Sequence, residues 1–273
     1  MSLLRLGNTR SRKGRLSGSR LVFSDEATAK EARELVATLK RLPEKVFNRY
    51  LKGLTRDEKA EVNATIWGVT WLDCSEDVEE FAKHVVTKDE HAEGELSVRA
   101  FPTREQKPYI WDIIDTIQEE QLLAIEKSRQ LLVTWIACLY CLWMAKFHKN
   151  RLIFVQSKKE EDAANLVFNT EWPNARISFM ESNLPDELRS DVASSYGKLL
   201  FRDTGSRIWG IPEGGDQIRS YTASLIFSDE AAFQPEFEHA WQASNPSIKG
   251  GGKMLIVSSA RNGAFMKRLI SRV

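Results

Sequence analysis

Apolar positions recur at helical spacing in the first third of the chain. In SDEATAKEARELVATLKRL (24–42), Ala27, Leu35, Leu39 and Leu42 fall near one face, and Pro43 stops the run. Ser24 is placed to cap this helix, with Asp25 and Glu26 in the first turn, where the helix dipole favours negative charge. Helix-like texture continues to about Glu95 and includes SEDVEEFAKHVV, which opens on a second capping serine, Ser75.

The texture changes after residue 96. Strand-like runs (QLLAIEK, RLIFVQS, KLLFRD, SRIWGI, SLIFSDEA, KMLIVSSA) alternate with helix-like ones (Leu131–Phe147, KEEDAANLVFN, QPEFEHAWQA). Ser224–Phe227 and Met254–Val257 are apolar throughout, as expected of strands buried on both faces of a parallel sheet. Such alternation predicts an α/β fold, a mostly parallel sheet flanked by helices, here with an N-terminal helical region. Leu131–Phe147 is nearly all apolar. A membrane span needs about 20 such residues, so this run reads as a helix buried on most sides, and no membrane contact is expected.

Net charge is +1 over 273 residues, so composition does not announce a nucleic-acid partner. Its distribution is uneven. Residues 1–20 carry six bases and no acid, residues 57–95 carry twelve acids against three lysines, and residues 249–273 carry six bases and no acid. The stretch 1–22 reads as a flexible basic tail, either solvated or in contact with a polyanion or an acidic partner surface. Cys74, Cys138 and Cys141 form no disulfide framework, and Cys138-Leu-Tyr-Cys141 sits in an apolar helical run without a second ligand pair, which suits buried thiols. His84, His91, His148 and His239 show no metal-ligand spacing.

The pentapeptide FSDEA occurs twice. At Phe23–Ala27 it precedes an amphipathic helix with no phosphate loop before it, which suits a cap. At Phe227–Ala231 it ends a buried run. The next strand-like run ends in IVSSARNG, and about 100 residues upstream lies AIEKSRQLLVTW, a strand, a polar loop and the apolar helix. Phosphate loop, acidic strand end and polar strand end occur in the order of a P-loop NTPase. Backbone N–H groups before a helix N-terminus cradle phosphate. Thr134 is placed to bind Mg²⁺, Asp229 to hold the same ion, and Glu230 to orient attacking water. The loop is irregular: Leu132 and Val133 stand where glycine and lysine are usual.

These motifs resemble those of the large terminase subunits of tailed bacteriophages, whose phosphate loops often read S-R-Q-x-G-K-[ST]. SRQLLVT (128–134) is similar, and Lys127 matches a variant in which the lysine sits at the front of the loop. The resemblance implies an ASCE-type P-loop ATPase domain over 96–273, with a deviant Walker A at 127–134 and a Walker B at 225–230. It implies that Lys127, helped by Arg129, supplies charge to ATP phosphates, that Ser128 and Gln130 complete the loop, and that Thr134 and Asp229 hold Mg²⁺. FPTREQKPYIWDII (101–114) resembles the adenine motif and points to Gln106; an ordinary polar loop before a helix is the other reading. Arg219, eleven residues before Glu230, has the spacing of an arginine finger acting on a neighbouring subunit, or is a surface residue with a local salt bridge. IVSSARNGAF partly matches the family's coupling motif, placing Ser258, Ser259 and Asn262 (motif 258–263) as sensors of the γ-phosphate.

By this resemblance the chain is the ATP-hydrolysing motor of DNA packaging. Its implied partners are double-stranded DNA, the portal protein, the small terminase subunit and further copies of itself in a ring, working in the host cell cytoplasm. Residues 23–95 are then an accessory or lid region. About a dozen residues follow the coupling motif, too few for a nuclease domain, so no DNA cleavage is expected of this chain. Two alternatives stand: a helicase-like DNA translocase, or a nucleotide-binding assembly module that does not hydrolyse.

Overall fold

In the computed structural model, residues 15–17, 20–89, 91–128, 130–262 and 264–271 are described. They fall into two units. One holds the residues up to Asp77 with Pro185–Leu188; the other holds Val78–Leu184 and the residues from Arg189 onward. The second unit thus begins well before the boundary expected at residue 96.

In the first unit, β1 (Arg15–Ser17) and β2 (Arg20–Val22) pair antiparallel. This part of the expected tail is therefore a ribbon, and residues 1–14 lie outside the described ones. Three helices follow, α1 (Glu26–Lys40), α2 (Glu44–Lys52) and α3 (Arg56–Glu76). The cap of α1 is Asp25, not Ser24: Asp25 Oδ1 accepts from the Thr28 N–H at 2.8 Å, while the Ser24 hydroxyl donates to Asp25 Oδ2 at 2.8 Å. A carboxylate accepts two donors at once, so the serine is recruited to orient the aspartate. Thr55 and Glu58 form a reciprocal capping box on α3. Ser75 does not open a helix; it lies in the last turn of α3 and donates to Leu72 O at 2.7 Å. Ala32 and Val36 of α1 bury against Val69 of α3, with Phe23 and Ile66 beside them. Gly68 of α3 faces the ribbon so closely that a Cβ there would lie 2.4 Å from Leu21 O, which explains a glycine within a helix.

The second unit opens with α4 (Val78–Ala82) and the antiparallel pair β3 (Val86–Lys88) and β4 (Val98–Ala100), of which β3 lies within the stretch expected to be helical. Then come α5 (Pro108–Glu119), β5 (Leu122–Lys127), α6 (Val133–Phe147), β6 (Leu152–Gln156), α7 (Glu160–Val167) and α8 (Arg176–Ser182). The chain continues through β7 (Val192–Ser195), β8 (Lys198–Phe201), β9 (Ser206–Ile211), α9 (Asp216–Arg219), β10 (Leu225–Asp229), α10 (Phe237–Lys249), β11 (Lys253–Ser259) and α11 (Phe265–Ile270). Seven strands form one sheet in the order β5-β11-β10-β6-β9-β8-β7. The first five are mutually parallel, and β8 and β7 join antiparallel. This is the expected α/β sheet. The apolar runs become its centre: every residue of β10 is buried.

α6 is enclosed at nearly every position, including Cys138 and Cys141. Burial pushes the Cys138 thiol up to about 12 and the Cys141 thiol well above its ordinary value, so neither is a ready nucleophile or metal ligand. Near its end the fully buried Lys146 meets both Glu181 oxygens at 3.0 and 3.1 Å and the Ser190 hydroxyl at 2.8 Å. Burial raises the Glu181 carboxyl, and Lys146 pulls it back down. Removing either partner leaves a buried charge uncompensated, a cost of about 3–5 kcal/mol. Among the described residues no helix is long and apolar enough to cross a membrane.

Candidate nucleotide site

β5 and β10 are separated in the sheet by β11, so their ends lie about 10 Å apart. Residues on both strands reach across that gap. Lys127, at the C-terminal end of β5, places Nζ 3.0 Å from Glu230 Oε1, and its side chain is only 9% exposed. The other oxygen of Glu230 accepts from the Ser259 N–H at 3.3 Å, and the Ser258 hydroxyl lies 3.4 Å from it. Ser258 in turn accepts from the Ala232 N–H at 3.1 Å. Ser259 pairs with Lys127 in the β5–β11 register, so the residues read separately as phosphate loop, acidic strand end and coupling motif meet on one carboxylate.

Next to it, the Thr134 hydroxyl on the first turn of α6 donates to Asp229 Oδ1 at 3.1 Å. Asp229 is buried, and its carboxyl is pushed up to about 6, first by burial and then by the adjacent Glu230. The charges of Arg176 and Lys127 and the Thr134 hydrogen bond pull it back. Arg176 went unnoticed in the sequence because it lies on α8, a helix that none of the motifs touches.

The turn from β5 to α6 is made without glycine. Gln130 and Leu132 both have positive φ, 65° and 58°. Leu132 holds the left-handed conformation at the position where a phosphate loop usually has glycine, at a cost of about 1–2 kcal/mol. Val133, where lysine is usual, is buried, so its side chain packs inward and leaves the cationic role to Lys127. Ser128 and Gln130 are exposed in the turn, and Arg129 lies outside the described residues. The Tyr109 hydroxyl on α5 donates to Leu131 O at 3.1 Å, a brace that no motif signals. Glu230 also has positive φ, 49°, which swings the chain sharply off the end of β10.

Three other candidates have other hydrogen-bond or ion-pair partners. Gln106 is exposed ahead of α5, and its Oε1 accepts from the Thr103 N–H at 3.0 Å, so the amide oxygen is engaged in its own turn. Arg219 ends the one-turn α9, 3.8 Å from Asp216, with its side chain 60% exposed. Asn262 accepts from Lys267 Nζ at 3.2 Å on the surface.

The donor set suits Mg²⁺. A hydroxyl and a carboxylate stand side by side, both hard oxygen donors, and the carboxylate carries charge that burial disfavours. Among the described residues no group of three or more His, Cys, Asp or Glu side chains is gathered as an all-protein metal cage.

The fold is an α/β domain with a mostly parallel sheet flanked by helices, as in P-loop NTPases. No protein-family model matches the chain. Among solved structures, the HK97 bacteriophage large terminase is similar in fold, with TM-score 0.54 and 15% identity, over 72% of this chain and 40% of that one. The Thermus phage P74-26 large terminase ATPase domain gives TM-score 0.45 and 16% identity over 56% of this chain and 66% of that one. The large terminase of another thermophilic bacteriophage, solved in complex with ADP, gives 0.40 and 15% over 55% and 36%. This chain spans at most 66% of the length of these three structures.

Proposed function

We propose that this chain is the ATP-hydrolysing motor part of a phage DNA-packaging machine. The observation that carries the reading is the meeting of Lys127, Thr134, Asp229, Glu230 and Ser259 at the C-terminal ends of three adjacent parallel strands. Ligands of open α/β sheets bind at such strand ends. The likeness of the fold to the HK97 large terminase supports the choice of motor within that class.

In this reading the N-terminal end of α6 and the loop before it hold the triphosphate, and Lys127 supplies the fixed positive charge. Thr134 and Asp229 hold Mg²⁺, which when bound neutralises charge on the phosphate oxygens. Glu230 orients and polarises the attacking water. Its present partners, Lys127 and the Ser259 N–H, fix its carboxylate within reach of both the loop and the coupling strand. Ser258, Ser259 and Asn262 then relay loss of the γ-phosphate. The exposed Arg219 serves the site of a neighbouring copy in a ring mounted on the portal protein, with the small terminase subunit as a further partner in the host cytoplasm. Double-stranded DNA is the translocated substrate, gripped mainly through phosphate and therefore in a salt-dependent way.

Phosphate release tests this. Wild type with Mg²⁺–ATP should turn over, faster with DNA and at protein concentrations that allow assembly, while Glu230→Gln binds nucleotide without turnover. Nucleotide binding with no turnover in wild type under any of these conditions would favour a non-hydrolysing assembly module.

A further inference from the structure

Two adjacent central strands end in polar residues where the sheet is otherwise apolar: Gln156 closes β6 and Ser228 precedes the last residue of β10, both fully buried. A buried polar side chain is costly unless bonded, and both belong to one directed chain of hydrogen bonds. Gln234 Nε2 donates to Asp229 O at 2.8 Å and to Ser228 Oγ at 3.1 Å. The Ser228 hydroxyl faces Gln156 Oε1 at 3.4 Å. Gln156 Nε2 donates to Gly214 O at 2.8 Å and Pro212 O at 3.2 Å. Carbonyl oxygens only accept, so both amide orientations are fixed by their partners.

The far end of this chain is a tight turn. Gly214 has φ 107°, and a Cβ on Gly215 would lie 2.8 Å from Ala243 Cβ. Glu213 Oε2 accepts from the Glu236 N–H at 3.1 Å, a second tie to the segment that follows Glu230. From this turn springs α9, which ends in Arg219. Gln156 uses both its amide donors and its oxygen in this network, while Gln234 Oε1 is buried with no hydrogen-bond partner. A polar network so connected in a low-dielectric interior favours one arrangement of the elements it joins.

We infer that Gln156 is a positioning residue that locks the Pro212–Gly215 turn to the Asp229–Glu230 strand end, so that nucleotide binding there is transmitted to the segment carrying Arg219. The inference rests on the nucleotide reading of the site. Gln156 itself makes no contact with Lys127, Thr134 or the Asp229 and Glu230 carboxylates among its hydrogen bonds.

Hydrogen exchange on the whole chain, with and without Mg²⁺ and a nonhydrolysable ATP analogue, tests it. In wild type the analogue should slow exchange both at 127–134 and at 213–221. In Gln156→Met, which keeps volume but loses the amide, the response at 127–134 should persist and that at 213–221 should disappear. In steady state, kcat should fall roughly tenfold with KM within about twofold, as for a coupling residue outside the binding contacts. Gln156→Glu, which keeps the length but not the donors, should behave the same and serves if the methionine variant fails to fold. A response at 213–221 that survives in a folded variant, or that is missing in wild type while 127–134 responds, overturns the inference alone. No wild-type response at 127–134 overturns the nucleotide reading and the inference with it.

Discussion

The five residues FSDEA open a helix at Phe23–Ala27 and end a strand at Phe227–Ala231, and the two aspartates show how far context governs one side chain. Asp25 is exposed and accepts the Thr28 N–H and the hydroxyls of Ser24 and Thr28; these donors, the backbone one foremost, hold its carboxyl below the ordinary value. Asp229 is enclosed beside Glu230, and burial pushes its carboxyl up to about 6. One copy is stabilised by what it caps. The other holds charge that its surroundings disfavour, a common mark of a functional site. The difference lies in the preceding residues: a short surface ribbon leads into the first copy, and the buried run Leu225–Phe227 leads into the second.

The largest expected contrast is in turnover. Asp229→Ala and Glu230→Gln should each lower phosphate release at least roughly a hundredfold, as expected for loss of a water-activating or metal-holding group. The matching changes Asp25→Ala and Glu26→Gln should leave it within about twofold, and a large loss from either would show that the first copy also serves the chemistry. Next comes the cation. Lys127→Ala should cost roughly a hundredfold in kcat. Adding Val133→Lys should not restore it, because that position faces the core, and the double variant should melt below the single one.

Much of this was legible in the sequence. Long apolar runs with polar ends gave β6, β10 and β11 and the buried α6, because a strand covered on both faces leaves little room for polar residues. Motif order assigns Thr134 and Asp229 to one ion, and they are hydrogen-bonded. The ion pair of Lys127 with Glu230 is not foreseen by the motifs, which assign the two to phosphate and to water. Other features were hidden. Ser24 and Asp25 are both good caps, and only the geometry of the turn shows that the aspartate does the capping. β3, β4 and the β1–β2 ribbon are three residues long each, too short for periodicity to register. The buried roles of Lys146 and Gln156 carry no sequence signal, because their partners Glu181 and Gly214 lie far along the chain. Arg219 is grouped with the site by its spacing from Glu230 and Gln106 by its resemblance to an adenine motif; neither bonds to Lys127, Thr134, Asp229 or Glu230 in the structure.

Two smaller effects complete the comparison. Leu132→Val should destabilise the chain by about 1 kcal/mol or more in denaturant unfolding, because a β-branched residue tolerates the left-handed region worst. Leu132→Gly should be tolerated, since glycine takes that conformation freely. The smallest effect belongs to the first copy. The folded carboxyl of Asp25 lies below its unfolded value, so its contribution is present above about pH 4 and is lost as pH falls through the folded value. Asp25→Asn should keep the cap and remove that acid-side loss, seen as a shallower decline in helical circular dichroism below about pH 4.

In the proposed function the second copy, with Lys127 and Thr134, binds Mg²⁺ and ATP. Titrating a fluorescent ATP analogue into wild type and Lys127→Ala, with and without Mg²⁺, tests it most directly. Saturable, Mg²⁺-dependent binding in wild type that weakens at least roughly tenfold in the variant is the expected result. Equal binding by both proteins, or none by wild type at millimolar analogue, would contradict it.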